Sequence, residues 1–126
     1  MTTSVLIVDD DAALREVVAE ALADEGLAVS CSAHGREALN MLRSGLRPDV
    51  ILLDLMMPVM DGWAFREEQA RDPALSSIPV VVVTAAHTLP RPIEARAIVH
   101  KPFRIDELLR AVHGWPLGPA PGGSAG

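Results

Sequence analysis

The sequence has no tyrosine, one cysteine, one lysine and only 3% aromatic residues among its 126 positions. A single cysteine, Cys31, excludes an internal disulfide, so the core must hold by burial alone. No apolar run approaches the roughly 20 residues needed to cross a bilayer, and the N-terminus carries neither a charged leader region nor a long apolar stretch. These absences point to a cytoplasmic chain without a membrane segment. With a formal net charge of −6 and no run of lysine or arginine, a nucleic-acid-binding surface is not expected either. What is present is 49% apolar content over a length suited to one globular domain. The end of the chain differs in kind: Gly114 to Gly126 is built almost wholly of Pro, Gly, Ala and Ser and buries too little to offset ordering. The folded domain is therefore assigned to residues 1–113 and a flexible tail to 114–126.

Four apolar runs organise the rest. Val5 to Val8 leads into Asp9, Asp10 and Asp11; Val50 to Leu53 into Asp54; Val80 to Val83 into Thr84; and Ala97 to Val99 through His100 into Lys101. The central runs are continuous Val, Ile and Leu rather than alternating, which predicts parallel strands covered by helices on both faces. Between them lie helical stripes. Ala13, Leu14, Val17, Val18, Ala21 and Leu22 recur at spacings of three and four before Gly26, and Ala38, Leu39 and Leu42 before Gly45. Leu27 to Ser32 reads as a short second strand, with Cys31 a small buried hydrophobe in it. Trp63 to Arg71, packed by Trp63 and Phe65, reads as a third helix, and Ile105, Leu108, Leu109 and Val112 mark the last one, stopped by Gly114 and Pro116. Strand and helix alternate, so the fold class is α/β with a doubly wound parallel sheet. In such a sheet, ligands bind at the carboxyl edge where the strand order reverses.

That edge would carry three carboxylates, a hydroxyl and the only ammonium side chain. Two carboxylates about 4 Å apart repel by roughly 4 kcal/mol at an effective dielectric of about 20, so Asp9, Asp10 and Asp54 together call for a counterion. Magnesium suits them, because it prefers oxygen ligands and binds one or two carboxylates plus a phosphate while keeping several waters. Asp11 reads more simply as a helix N-cap. Met56, Met57 and Met60 read as loop packing, and the histidines as surface residues, with His87 placed by its spacing from Thr84 near the pocket mouth.

Val8-Asp9-Asp10-Asp11, Leu53-Asp54-Leu-Met-Met-Pro58 with Asp61-Gly62, Val83-Thr84-Ala85 and Lys101-Pro102-Phe103 together resemble the receiver domain of two-component response regulators, over residues 4 to 113. The resemblance implies a flavodoxin-like five-stranded sheet of order 2-1-3-4-5. It implies that Asp54 is the phosphoacceptor, that Thr84 and Lys101 bind phosphoryl oxygens, and that Mg2+ is held by Asp10, Asp54 and the backbone carbonyl of Met56, with Asp9 acting through a water. It implies a cis peptide bond before Pro102. The donor would be a histidine kinase or histidine phosphotransfer protein and the output a protein target, with no catalysis beyond the chain's own phosphorylation and dephosphorylation.

Three departures from the receiver pattern bear on output. Only residues 85–100 separate Thr84 from Lys101, and Pro90 and Pro92 fall among them, so the family's fourth helix is expected to be shortened, displaced or replaced by loop. A homodimer through the face that helix helps to build is open on the resemblance, but the short interval removes part of that face. Ile98 stands where receivers carry a switching aromatic residue. Met56 and Ala86 occupy the positions that influence phosphate lifetime, and neither can orient a water by hydrogen bonding, so slow dephosphorylation is expected. Two other readings compete with a stand-alone phosphoacceptor. One is a docking module that uses phosphate little. The other, a metal-dependent phosphohydrolase, would need an acidic residue where Met56 stands.

Overall fold

The structure is a computed structural model, and residues 2–114 are described; the tail assigned to 114–126 therefore lies, beyond Gly114, outside the described residues. The elements run β1 (Ser4–Val8), α1 (Ala12–Asp24), β2 (Ala28–Ser32), α2 (Gly35–Arg43), β3 (Val50–Asp54), α3 (Gly62–Arg71), β4 (Val80–Thr84), β5 (Ala97–His100) and α4 (Ile105–His113). All five strands are parallel, in the order β2-β1-β3-β4-β5. This is the flavodoxin-like sheet.

Alternation along the strands builds two cores. Val5, Ile7, Val50, Leu52, Val81, Val83 and Val99 pack under Val18 and Leu22 of α1 and Leu108, Ala111 and Val112 of α4. Leu6, Val8, Ile51, Leu53, Val80 and Val82 pack against Ala38, Leu39 and Leu42 of α2 and Phe65 of α3. Both faces of the central strands are thus dry, which accounts for their unbroken apolar sequence.

The helix starts follow capping chemistry. Asp11 Oδ1 accepts from Leu14 N at 3.1 Å, as its N-cap reading requires, and Asp61 Oδ1 accepts from Ala64 N at 2.9 Å. For α2 the cap is His34, whose Nδ1 accepts from Glu37 N at 3.3 Å. Gly114, at φ 75°, ends α4 in the left-handed conformation that favours glycine.

Side-chain placements correct the sequence reading at Val17, Ala13, Cys31 and Met56. Val17 is 63% exposed, and Ala13 is exposed as well, so the inward stripe of α1 is narrower than its spacing implies and rests on Val18 and Leu22. Cys31 is exposed, because β2 is an edge strand with helix cover over only part of its surface. The methionines divide: Met57 and Met60 are buried, whereas Met56 is 66% exposed.

No helix occupies residues 85–96. The segment runs irregularly over the face covered by α2 and α3, with Leu89, Ile93 and Ala95 packed on that core. Pro90 and Pro92 deny it the backbone donors and conformational freedom a helix needs. It is fastened from the side: the Arg91 guanidinium lies 5.3 Å from the Trp63 ring centroid, Arg66 Nε donates to Glu94 O at 3.0 Å, and Arg96 N donates to Val80 O at 2.7 Å.

The loop from Leu55 to Asp61 joins the sheet edge to α3. Gly62 N donates to Leu55 O at 2.9 Å, and a Cβ at Gly62 would stand 2.6 Å from Leu55 Cδ2 and 2.9 Å from Leu55 Cα. Gly62→Ala is therefore expected to cost about 1–3 kcal/mol by overpacking next to the end of β3, read as a lower urea midpoint at unchanged slope. An unchanged midpoint would show that Leu55 yields freely. Within the same loop, Val59 has φ 70° and Met60 N donates to Pro58 O at 2.7 Å, closing a three-residue turn about a β-branched residue. Such a left-handed residue costs roughly 1–2 kcal/mol.

Candidate functional site

Register brings the acidic residues together. Val8 pairs with Leu53, so Asp9, one residue past β1, stands beside Asp54 at the end of β3. Both continue the alternation that faces α1 and α4, and Lys101 continues the same face from Val99. One carboxylate oxygen from each of Asp9, Asp10 and Asp54 lies within 4.8 Å of the others. Asp9 and Asp54 are 5% and 6% exposed, and Asp10 is open to solvent. Lys101 Nζ lies 3.2 Å from Asp9 Oδ2 and 3.9 Å from Asp54 Oδ2.

The backbone fixes these groups. Asp9 Oδ1 accepts from Asp11 N at 2.9 Å, and Asp54 Oδ1 accepts from Met56 N at 3.3 Å. Lys101 N donates to Thr84 O at 2.8 Å, tying the lysine to β4, and the peptide bond between Lys101 and Pro102 is cis. Arg15 Nη1 donates to the Asp9 carbonyl oxygen at 2.6 Å. Sequence spacing did not single out Arg15; its place one turn into α1 was the only available signal.

Thr84 is fully buried at the end of β4, one residue beyond Val83, the partner of Asp54. Its Oγ1 accepts from Ala86 N at 3.1 Å, a local bond that orients the start of the 85–96 segment. His87 lies farther along, its ring stacked on His100 with centroids 6.0 Å apart, while His100 Nδ1 sits 3.1 Å from Ala86 O. The site therefore brings Asp9, Asp10 and Asp54 within 4.8 Å of one another, sets Lys101 against Asp9 and Asp54, and places Thr84 one residue past the register partner of Asp54.

Electrostatics follow from this packing. Burial first, and then the neighbouring Asp9 carboxylate, push the Asp54 carboxyl up to about 6, against the pull of Lys101 and the Met56 N–H. Asp54 lines a cavity of about 20 Å³ together with Ile7, Leu52, Val83, Phe103 and Leu108 and with the charged Asp9 and Arg15. One ammonium cannot offset three carboxylates. The donor set, all hard oxygens with one member open to water, fits a divalent cation of the magnesium type.

The chain thus joins a five-stranded doubly wound sheet to a cluster of carboxylates and one ammonium at its carboxyl edge, the place where such sheets bind ligands. Residues 5–113 match the response regulator receiver domain family, and the chain belongs to it. Among similar proteins, the response regulator MprA of Mycolicibacterium vanbaalenii is 36% identical over 114 residues, 86% of this chain and 48% of that protein. The regulatory protein AtoC of Escherichia coli is 36% identical over 110 residues, 82% of this chain and 23% of its own. The chain thus spans about half or less of the length of these curated relatives. The chemotaxis response regulator CheY4 of Vibrio cholerae superposes with a TM-score of 0.81 at 30% identity, covering 90% of this chain and 98% of that one. Receiver domains are signalling modules of two-component systems, and among the described residues no helix is long and apolar enough to cross a membrane.

Proposed function

We propose that residues 1–113 form a phosphoacceptor receiver, in which Asp54 takes a phosphoryl group from a histidine kinase or histidine phosphotransfer protein and the signal leaves through protein contacts in the cytoplasm. The observation that carries this reading is the buried Asp54 carboxylate set among Asp9, Asp10 and the Lys101 ammonium. An Asp54 oxygen attacks phosphorus, the bond from phosphorus to the donor nitrogen breaks, and its electron pair returns to the imidazole, which takes up a proton. In-line transfer asks the protein mainly for positioning and charge neutralisation. Lys101 Nζ lies where it can shift from Asp9 to the incoming phosphoryl oxygens, and the Thr84 hydroxyl, an acceptor toward Ala86 N, retains its proton to donate to one of them. Asp10, Asp54 and the Met56 carbonyl would hold Mg2+, with Asp9 acting through a water. When bound, the ion screens the carboxylates and polarises the phosphoryl oxygens.

Ala85 beside the threonine is small and leaves an entry path. Phosphate exit differs: Met56 and Ala86 offer no side-chain polar atom to hold an attacking water, so the acyl phosphate is expected to be long-lived. Loss of label from the purified protein with a half-life of seconds would contradict this.

Incubation with acetyl phosphate and Mg2+ tests the main reading. An intact mass raised by one phosphoryl group is expected; no gain at any Mg2+ concentration would overturn it. One observation favours a second reading, a constitutive docking module. The 85–96 segment is fastened by Arg91 on Trp63 and Arg66 on Glu94, contacts that do not involve Asp54. Amide NMR shifts confined to the site on adding beryllofluoride and Mg2+ would support that reading; shifts spreading through residues 85–96 would support the phosphate switch.

A further inference from the structure

A second cavity, of about 300 Å³, lies between α3 and the 85–96 segment and shares no lining residue with the acidic site. Its volume falls at the lower end of the range for small-molecule sites. Trp63 and Arg66 of α3 line one side, and Arg91, Pro92 and Ile93 of the irregular segment line the other. Eight lining residues are too few for a protein partner, which covers about 20–30 residues a side.

The two guanidinium groups of this cavity differ. Arg66 is committed: its Nε donates to Glu94 O at 3.0 Å, its Nη1 donates to Gln69 Oε1 at 2.7 Å, and its Nη2 lies 3.7 Å from Glu94 Oε1. Gln69 is fully buried and donates in turn to Leu75 O and Ile78 O, so the α3 side is fixed. Arg91 stacks on the Trp63 ring and pairs with no carboxylate among the described residues. Glu94 pairs with Arg66 and Glu67 with Arg71, which leaves Arg91 as the surplus charge of the cavity in a chain of net charge −6. Stacking orients a guanidinium while its donors stay open to a planar anion. Trp63 adds a buried Nε1 that meets no acceptor, so a ligand oxygen reaching it would supply a hydrogen bond the domain does not.

We propose that this cavity binds a small aromatic carboxylate, with the carboxylate on the Arg91 guanidinium and the ring among Trp63, Pro92 and Ile93. The charge follows from the unpaired arginine. The flat apolar body follows from the Trp63–Arg91 stack, which a further ring extends. Such a ligand ties the stretch that replaces the fourth helix to α3. The proposal is independent of phosphoryl transfer to Asp54.

The chain has two tryptophans, so Trp115→Phe leaves a single indole N–H resonance, that of Trp63, and serves as the parent for amide NMR titration. Cinnamate is expected to shift that resonance and the amides of Arg91, Ile93 and Glu94 with a Kd at or below about 1 mM. Cinnamamide keeps the shape without the charge, and hexanoate the charge without the ring; each should bind at least about fivefold more weakly. Arg91→Gln should weaken cinnamate about tenfold, and Arg91→Lys, which keeps the charge but not the fork, should fall between. Arg110→Gln, an exposed arginine of α4 outside the cavity, should stay within about twofold of the parent. No saturation by about 10 mM, equal affinity for cinnamamide or hexanoate, cinnamate shifts centred on Lys101 instead of Trp63, or unchanged affinity in both Arg91 variants would overturn the proposal.

Discussion

Asp54→Asn is expected to abolish phosphoryl incorporation and, at pH 8 without divalent cations, to raise the stability of the protein. The loss of incorporation follows because the amide offers no anionic oxygen to attack phosphorus, and no neighbouring group replaces it at the same place. The gain in stability follows from the electrostatics. Burial and Asp9 hold the Asp54 carboxyl at about 6, above its ordinary value near 3.8. The folded state therefore binds the proton more tightly than the unfolded chain does. Stability contributed by the protonated form is complete below pH 4 and is lost as pH rises through 6. Removing the ionisable group at pH 8 should recover on the order of 1–3 kcal/mol, after allowance for partial solvent screening. That is on the order of 5–10 °C in melting temperature for a domain of this size. The difference should shrink toward zero near pH 4. Thermal denaturation across pH 4–8 reads it directly, and a variant less stable than the parent at pH 8 would contradict the origin assigned to the shift.

Removing divalent cations should depress acetyl phosphate incorporation at least about a hundredfold, with recovery on adding Mg2+. Asp9, Asp10 and Asp54 face one ammonium, so the apo site carries net negative charge against an anionic substrate. The same ion should stabilise the fold by about 2.7 kcal/mol when present at a hundred times its dissociation constant. Protons compete with it at Asp54. Mg2+-dependent stabilisation is therefore expected to be full at pH 8 and to fade as pH drops through about 6. A melting temperature insensitive to Mg2+ at pH 8 would place the ion elsewhere or remove it from the mechanism.

The sheet, and the grouping of Asp9, Asp10, Asp54 and Lys101 at one of its edges, were legible because they are written in strong local signals. Val5 to Val8, Val50 to Leu53 and Val80 to Val83 are runs that only double-sided burial explains, and each ends at a residue of the site. That residues 85–96 could not hold a full fourth helix was legible from Pro90 and Pro92, but the choice among a shortened helix, a displaced one and a loop was not. Side-chain exposure was harder to read. Val17 fits a helical stripe by spacing, but the width of that stripe depends on how closely α1 rides over the sheet. Cys31 is exposed because β2 falls at an edge, a fact of sheet order rather than of composition. The left-handed turn at Val59 gave no signal at all, since the residue types that mark such turns are glycine and asparagine.

Borohydride reduction after reaction with acetyl phosphate and Mg2+ gives the most direct reading of the site, because it converts an aspartyl phosphate to homoserine in place. Peptide mapping is expected to find homoserine at position 54 and nowhere else. Homoserine at position 9 or 10, or none despite a raised intact mass, would contradict Asp54 as the acceptor.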